Sequence, residues 1–392
     1  MDLTGDSTAT NRFQHERPYE MKRISFPVRV GFRQRLNQRV DQYFDQRGIP
    51  RTGDWRVFLK TGIILTWLAG SYILLVLFAN SLAAGIGAAL AVAVGVVLVG
   101  FNLMHDGAHG SYSANKTMNR MAAWTLDLIG GSQILWRQKH NILHHTYTNI
   151  EGADDDLDTS GLLRLSPDQA WRPWHRFQHI YAPALYSFLT LNWVFHGDFR
   201  KFLTGRIGTY KLRKPSVRET LSFFSAKGLY VGYALVLPLL IHDLLVVLAF
   251  FIFIHLVSGL IFSLVFQLAH TVEDNSFPGA DPKTGVMEAE WSIHEVETTA
   301  DFATKNRLVA WVCGGLNFQI EHHLLPKVCH VHYPALSRFV RQTCSEFKVQ
   351  YTCYPTLRSA LVMHFRFLKK LGKPPGDELM GSGTLRQVPD PN

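Results

Sequence analysis

The stretch TGIILTWLAGSYILLVLFANSLAAGIGAALAVAVGVVLVGFNLM, residues 61–104, runs straight into His105-Asp106-Gly107-Ala108-His109. It holds no Lys, Arg, Asp or Glu. Residues 61–79 and 82–104 each approach the ~20 residues that cross a hydrocarbon core of about 30 Å at 1.5 Å per residue. The link between them, Asn80-Ser81, leaves room only for a hairpin. A second block, residues 228–270, repeats the plan with Asp243 as its one charged residue. Its spans are expected at residues 224–241 and 244–268, with His242-Asp243 as the turn and Lys227 placed to snorkel. The expected fold is all-α and integral to a membrane: four transmembrane helices in two hairpins, with a helical cap.

Charge placement orients this scheme. All 40 Lys and Arg lie in residues 1–60, 105–227 and 271–392. Basic segments stay cytoplasmic, so these three segments and both termini are expected on the cytoplasmic side. Residues 180–196 are apolar and aromatic, but they contain Pro183 and Asn192 and are short for a span. A single crossing there would separate the histidine clusters described next, so an interfacial helix is expected. Residues 1–60 carry no signal-peptide core and form an N-terminal segment. Residues 61–345 read as the membrane domain and 346–392 as a C-terminal tail. The polar ends, roughly 1–20 and 375–392, are expected to be loosely ordered. The net charge of +9 flanks apolar spans, which points to anionic headgroups or an acidic electron carrier and away from nucleic acid. Cys313, Cys329, Cys344 and Cys353 form no CxxC pair and read as unpaired thiols.

The 18 histidines are clustered. His105 and His109 stand at i and i+4, which share one face of a helix. Box two, His140-Asn141-Ile142-Leu143-His144-His145, repeats that spacing, with His145 turned about 100° away toward a neighbouring metal. Box three is Gln319-Ile320-Glu321-His322-His323, with Pro326 limiting its helix. One such pair means little. His175 and His179 have the same spacing without a third histidine, and read as surface or interfacial. Three boxes on one side of the membrane make a metal centre. Seven imidazoles exceed the four ligands of a zinc site and suit two redox-active ions. His270, at the end of the fourth span, and His294, ahead of box three, are candidates to complete the set. Asp106 and Glu321 are candidates to hold imidazole N–H groups from behind. The run Asp154-Asp155-Asp156-Leu157-Asp158 reads as a solvated loop.

HxxxH, HxxxHH and a third box ending in HH, on four spans, resemble the membrane fatty-acid desaturases. Box three, with Gln319 where a histidine otherwise stands, is similar to the front-end branch, of the delta-6-like, linoleoyl kind. That branch places a double bond between an existing one and the carboxyl end. The resemblance covers roughly residues 55–345. It implies His105, His109, His140, His144, His145, His322 and His323 as iron ligands, with His270 matching the ligand that ends the fourth span. It leaves the roles of Gln319 and His294 open. It further implies two non-haem iron ions, O2 as co-substrate, and electrons from an external donor, a ferredoxin or cytochrome b5 with its reductase. The substrate would be a fatty acyl chain on CoA or a lipid, held in an apolar tunnel among the spans. One departure stands out: eukaryotic front-end enzymes usually carry a fused cytochrome b5 domain with an HPGG motif, and no HPGG occurs here. A stand-alone enzyme of a bacterial inner membrane is therefore expected. The residues alone also admit a di-iron hydroxylase of a lipid, alkane, sphingoid or carotenoid. A metal transporter fits less well, because it needs ionisable groups at mid-membrane and His255 is the one clear case.

Overall fold

The computed structural model describes residues 24–28 and 31–375, so the expectation for the chain ends falls largely outside the described residues. Four helices are long and apolar enough to cross a membrane: Trp55–Phe78, Leu82–His109, Val217–Leu239 and Leu244–His270. They pair as two hairpins, as the charge-free blocks require. The first helix starts on Asp54, whose carboxylate accepts the Arg56 N–H. The third starts on Ser216, where Ser216 and Glu219 cap each other's backbone N–H groups. That start precedes the expected residue 224, because the cap lies ahead of the apolar run.

The second helix passes through box one without a break. A π-helical turn, Gly100–Met104, leads into His105–His109. Gly107, between the two histidines, packs against the helix Lys116–Leu128. A Cβ there would meet Ala123 N at 2.5 Å and Ala122 Cβ at 2.7 Å, so only glycine allows the approach.

Residues 180–196 do not form one long helix. Gln178–Ser187 and Leu189–Asn192 are separate helices, followed by a π turn at Trp193–Gly197. They pack along the fourth span. Lys227 does not snorkel. It is buried, its Nζ donating to Asp198 Oδ2 at 2.7 Å and to the Gly130 and Val194 carbonyls at 2.6 and 2.9 Å. A buried ammonium with three acceptors costs less than one left bare.

The cap draws on both ends of the chain. Helix Phe32–Arg47 packs against Tyr333–Phe347, and Leu357–Leu371 packs on the fourth span. A two-residue parallel pairing joins Asp301–Phe302 to Cys353–Tyr354. Residues 346–371, expected as part of a tail, therefore belong to the folded body. The four cysteines are unpaired.

Candidate metal centre

Seven boxed histidines and His270 converge on one buried region, and their ring nitrogens fall into interlocking groups. One is His105, His109, His140 and His322; another is His144, His270 and His323; a third is His145, His322 and His323. Within each group the nearest side-chain nitrogens lie within 4.8 Å of one another. His105 and His322 have ring centroids 4.4 Å apart, and His144 and His270 4.6 Å.

In box two the i, i+4 rings of His140 and His144 stack, with centroids 5.3 Å apart, and both lie near Asp156. Gln138–His144 is a π-helix, whose wider turn brings residues five apart together. His140 and His145 approach at Nε2–Nε2 3.2 Å. His140 joins the box-one group while His144 joins His270 and His323. Trp136 stacks on His140, with centroids 4.2 Å apart.

The backs of three rings are held by residues that spacing rules do not reach. His144 Nδ1 donates to Asp154 Oδ2 at 3.0 Å, and His323 Nδ1 to Glu295 Oε2 at 2.6 Å. His322 Nδ1 faces the Tyr333 hydroxyl at 3.3 Å. Thr148 Oγ1 joins this layer, reaching the His144 carbonyl at 2.7 Å and Glu295 Oε2 at 3.0 Å. Asp154 and Glu295 thus leave the opposite nitrogen, Nε2, of each ring facing inward.

The acidic run is solvated only in part, at Asp156 and Asp158. Asp154 is buried behind His144, and Asp155 pairs with Lys201 at 2.7 Å. Asp156 is the more exposed member, facing Lys139 at 2.6 Å. Asp106 is buried and does hold an imidazole, but that of His330, whose Nδ1 lies 2.6 Å from Asp106 Oδ2. His330 Nε2 in turn meets Lys60 Nζ at 3.3 Å. Glu321 accepts from the Tyr351 hydroxyl at 2.8 Å and touches none of the boxed rings. His294 lies outside the three groups, buried against Phe26 with centroids 5.1 Å apart. Its neighbour Glu295 is the residue that reaches the site. Gln319 sits inside, its amide nitrogen 3.0 Å from His270 Nε2 and 3.3 Å from His323 Nε2. His175 is buried rather than superficial, and neither it nor His179 belongs to these groups.

Electrostatics favour neutral imidazoles facing inward. Burial drives His140, His145, His322 and His323 well below the usual histidine range. Burial acts on His144 in the same sense, but the Asp154 carboxylate outweighs it and the net shift is upward. Burial also pushes the Glu295 carboxyl well above its usual range, a cost that a nearby cation offsets. Several inward atoms have no hydrogen-bond partner within the described protein: both nitrogens of His105, His109 Nε2, His270 Nδ1, His322 Nε2 and Gln319 Oε1. Buried polar atoms are rarely left this way without an ion or water to bind. Unprotonated imidazole nitrogens converging on shared points fit transition-metal ions.

A scan against family models matches residues 79–355 to the fatty acid desaturase family. Among curated proteins, the chain is 36% identical to an sn-1 linoleoyl-lipid 6-desaturase of Synechocystis sp., over 90% of this chain and 98% of the relative. A protein of the same name from Arthrospira platensis is 33% identical, over 89% of this chain and 95% of the relative. An acyl-lipid (8-3)-desaturase of Physcomitrium patens is 38% identical, over 86% of this chain and 71% of the relative.

Proposed function

The chain belongs to the fatty acid desaturase family, and on that premise we propose that it inserts a double bond into a lipid-linked fatty acyl chain with front-end regioselectivity. The observation that carries this reading is the convergence of eight imidazoles, five of them with a nitrogen that has no protein partner, at one end of four membrane-length helices. His105, His109, His140 and His322 would hold one iron ion. His144, His270 and His323 would hold the other, with His145 between the two sets.

Iron and O2, with two electrons from an external ferredoxin or cytochrome b5 system, would supply the oxidising power that alkyl C–H bonds demand. The protein's own part is placement. Asp154 and Glu295 fix the tautomer of His144 and His323 and raise their basicity. Gln319 bonds through its amide nitrogen only while the His270 and His323 lone pairs are free. Were metal held by those nitrogens, Gln319 would be placed to present Oε1 to it in place of the amide N–H. The burial of the centre keeps bulk water from the reacting groups.

The acyl chain would lie among the spans. An apolar cavity of about 1110 Å³ opens between the hairpins, lined by residues such as Leu68, Val92, Tyr230 and Phe250. None of the boxed histidines lines it. A chamber of about 20 Å³ shares Val96, Ile129, Tyr230 and His255 with it and reaches further along the fourth span to Phe262. The cavity is best read as room for the methyl end of the chain, beyond the reacting carbons.

The basic segments and the histidine centre would face the cytoplasm, with the two short turns on the far side of a bacterial inner membrane. The curated relatives from Synechocystis and Arthrospira are named for lipid-linked linoleoyl substrates, which favours a lipid over CoA as the carrier here. Expression in a host of defined fatty-acid composition, followed by double-bond location in each lipid class, tests the reading. New double bonds on the carboxyl side of existing ones, in membrane lipids, are the expected result. A hydroxylated product, or none with donor and iron supplied, would overturn it.

A further inference from the structure

The fourth span ends at His270, and the last carbonyls of a helix need partners from outside it. Two buried amides supply them. Asn275 Nδ2 donates to the Ala269, His270 and Thr298 carbonyls at 2.8, 3.0 and 3.2 Å. It follows the helix by five residues, so it is a local cap. Asn149 comes from the loop after box two, 121 residues away in sequence from His270. Its Nδ2 reaches the same His270 carbonyl at 2.9 Å, the Thr298 carbonyl at 3.2 Å and the Ser276 carbonyl at 3.3 Å.

The backbone side of Asn149 faces the other way. Its N–H donates to Asp154 Oδ2 at 3.0 Å, the same oxygen that accepts from His144 Nδ1 at 3.0 Å. One residue is therefore bonded through its backbone to the carboxylate that orients His144 and through its side chain to the carbonyl of His270. The residue is 1% exposed and sits at φ 58°. Asparagine tolerates that left-handed conformation better than most residues. Neither bond alone is unusual. Together they join two histidines from separate elements whose rings stand 4.6 Å apart in one candidate ligand group.

We propose that Asn149 is a positioning residue for that group alone: it sets the distance between His144 and His270, and metal held by His144, His270 and His323 depends on it. The group formed by His105, His109, His140 and His322 has no bond to Asn149 and does not. The inference rests on the reading of these histidines as ligands of two iron ions.

The test uses the full-length protein in detergent, with iron per chain measured by elemental analysis and the pairing of the irons by Mössbauer and EPR spectroscopy. Asn149→Asp keeps the shape of the side chain but turns an oxygen toward the three carbonyls. Asn149→Gly keeps the left-handed backbone and the N–H to Asp154 but removes the amide. Both variants are expected to hold one iron firmly. The second should bind about 10–100-fold more weakly, the range for losing a partner that orients a ligand. The spectrum should change from a coupled pair toward an isolated ion. Melting of the chelated protein should fall for Asn149→Gly, because the Ser276 carbonyl loses its buried donor, and is read apart from the iron affinity. If Asn149→Gly binds two irons with wild-type affinity, the residue serves only the turn and the proposal is overturned. If both irons weaken equally, the effect is not confined to one group, and the proposal is also overturned. Should Asn149→Asp fail to accumulate, Asn149→Gly decides alone. A wild-type protein without iron would instead overturn the reading of the centre itself.

Discussion

The molecule buries histidines in two kinds of surroundings, and they differ in what the ring nitrogens meet. At the end of the spans where the boxes converge, His105, His109, His270 and His322 each keep at least one nitrogen without a protein partner. Elsewhere three buried histidines are fully used, while His294 keeps both nitrogens without a protein partner. His255, within the fourth span, meets the Tyr230 hydroxyl at Nε2 2.7 Å and Thr190 Oγ1 at Nδ1 3.0 Å. Thr190 spends its own proton on the His255 carbonyl at 2.8 Å, so Nδ1–H donates and Nε2 accepts from Tyr230. His364 donates from Nδ1 to the Thr271 carbonyl at 2.7 Å and accepts from the Tyr186 hydroxyl at 2.9 Å. His175 accepts the Arg172 N–H at 3.1 Å and donates to the Gly161 carbonyl at 3.0 Å. Burial does not distinguish these populations; convergence does, because the rings of the centre share groups with other histidines and these do not.

Substitutions at both kinds of site put that contrast at risk. The largest effect is expected for His322→Ala, because His322 belongs to two of the three groups. Iron should fall below one per chain and product to background; two irons per chain in this variant would break the contrast outright. His270→Ala removes one member of one group and should leave about one iron, again without product. Retention of full iron and activity would make the fourth-span histidine structural.

Changes behind the rings should be milder. Glu295→Gln and Asp154→Asn keep a hydrogen-bond acceptor but lose its charge, and each is expected to cost about 10–100-fold in iron affinity or turnover. An unchanged iron titration would show that these carboxylates only fill space. Among the fully partnered histidines, Tyr230→Phe should weaken folding by only ~0.6 kcal/mol, typical of a hydrogen bond within a membrane, and leave iron content at the wild-type value. The smallest effect on iron belongs to His175→Ala with His179→Ala. Elemental analysis should give wild-type content, while thermal melting reports the loss of the buried His175 bonds, about 1–3 kcal/mol. Iron loss in this double variant would place the loop pair in the centre and sharpen the question of what holds it there.

Residue order alone carried the four apolar helices, their pairing as hairpins, and the histidine spacing of three boxes, because all of these are local. Hydrophobic length, charge-free runs and i, i+4 recurrence need no knowledge of what lies across the fold. Family membership was legible for the same reason: the boxes are short contiguous motifs. Tertiary structure decided how the histidines divide. The π turn at box two brings His140 and His145 to 3.2 Å of each other, and helical spacing carries no sign of that turn. It also decided which carboxylates matter. Asp106 was a candidate from its place inside box one, yet it binds His330, 224 residues away. Glu295 and Asp154 reach the rings instead, because burial forces each ring N–H onto whatever acceptor the packing brings near. Such partners are fixed by long-range contacts, so no pattern along the chain marks them.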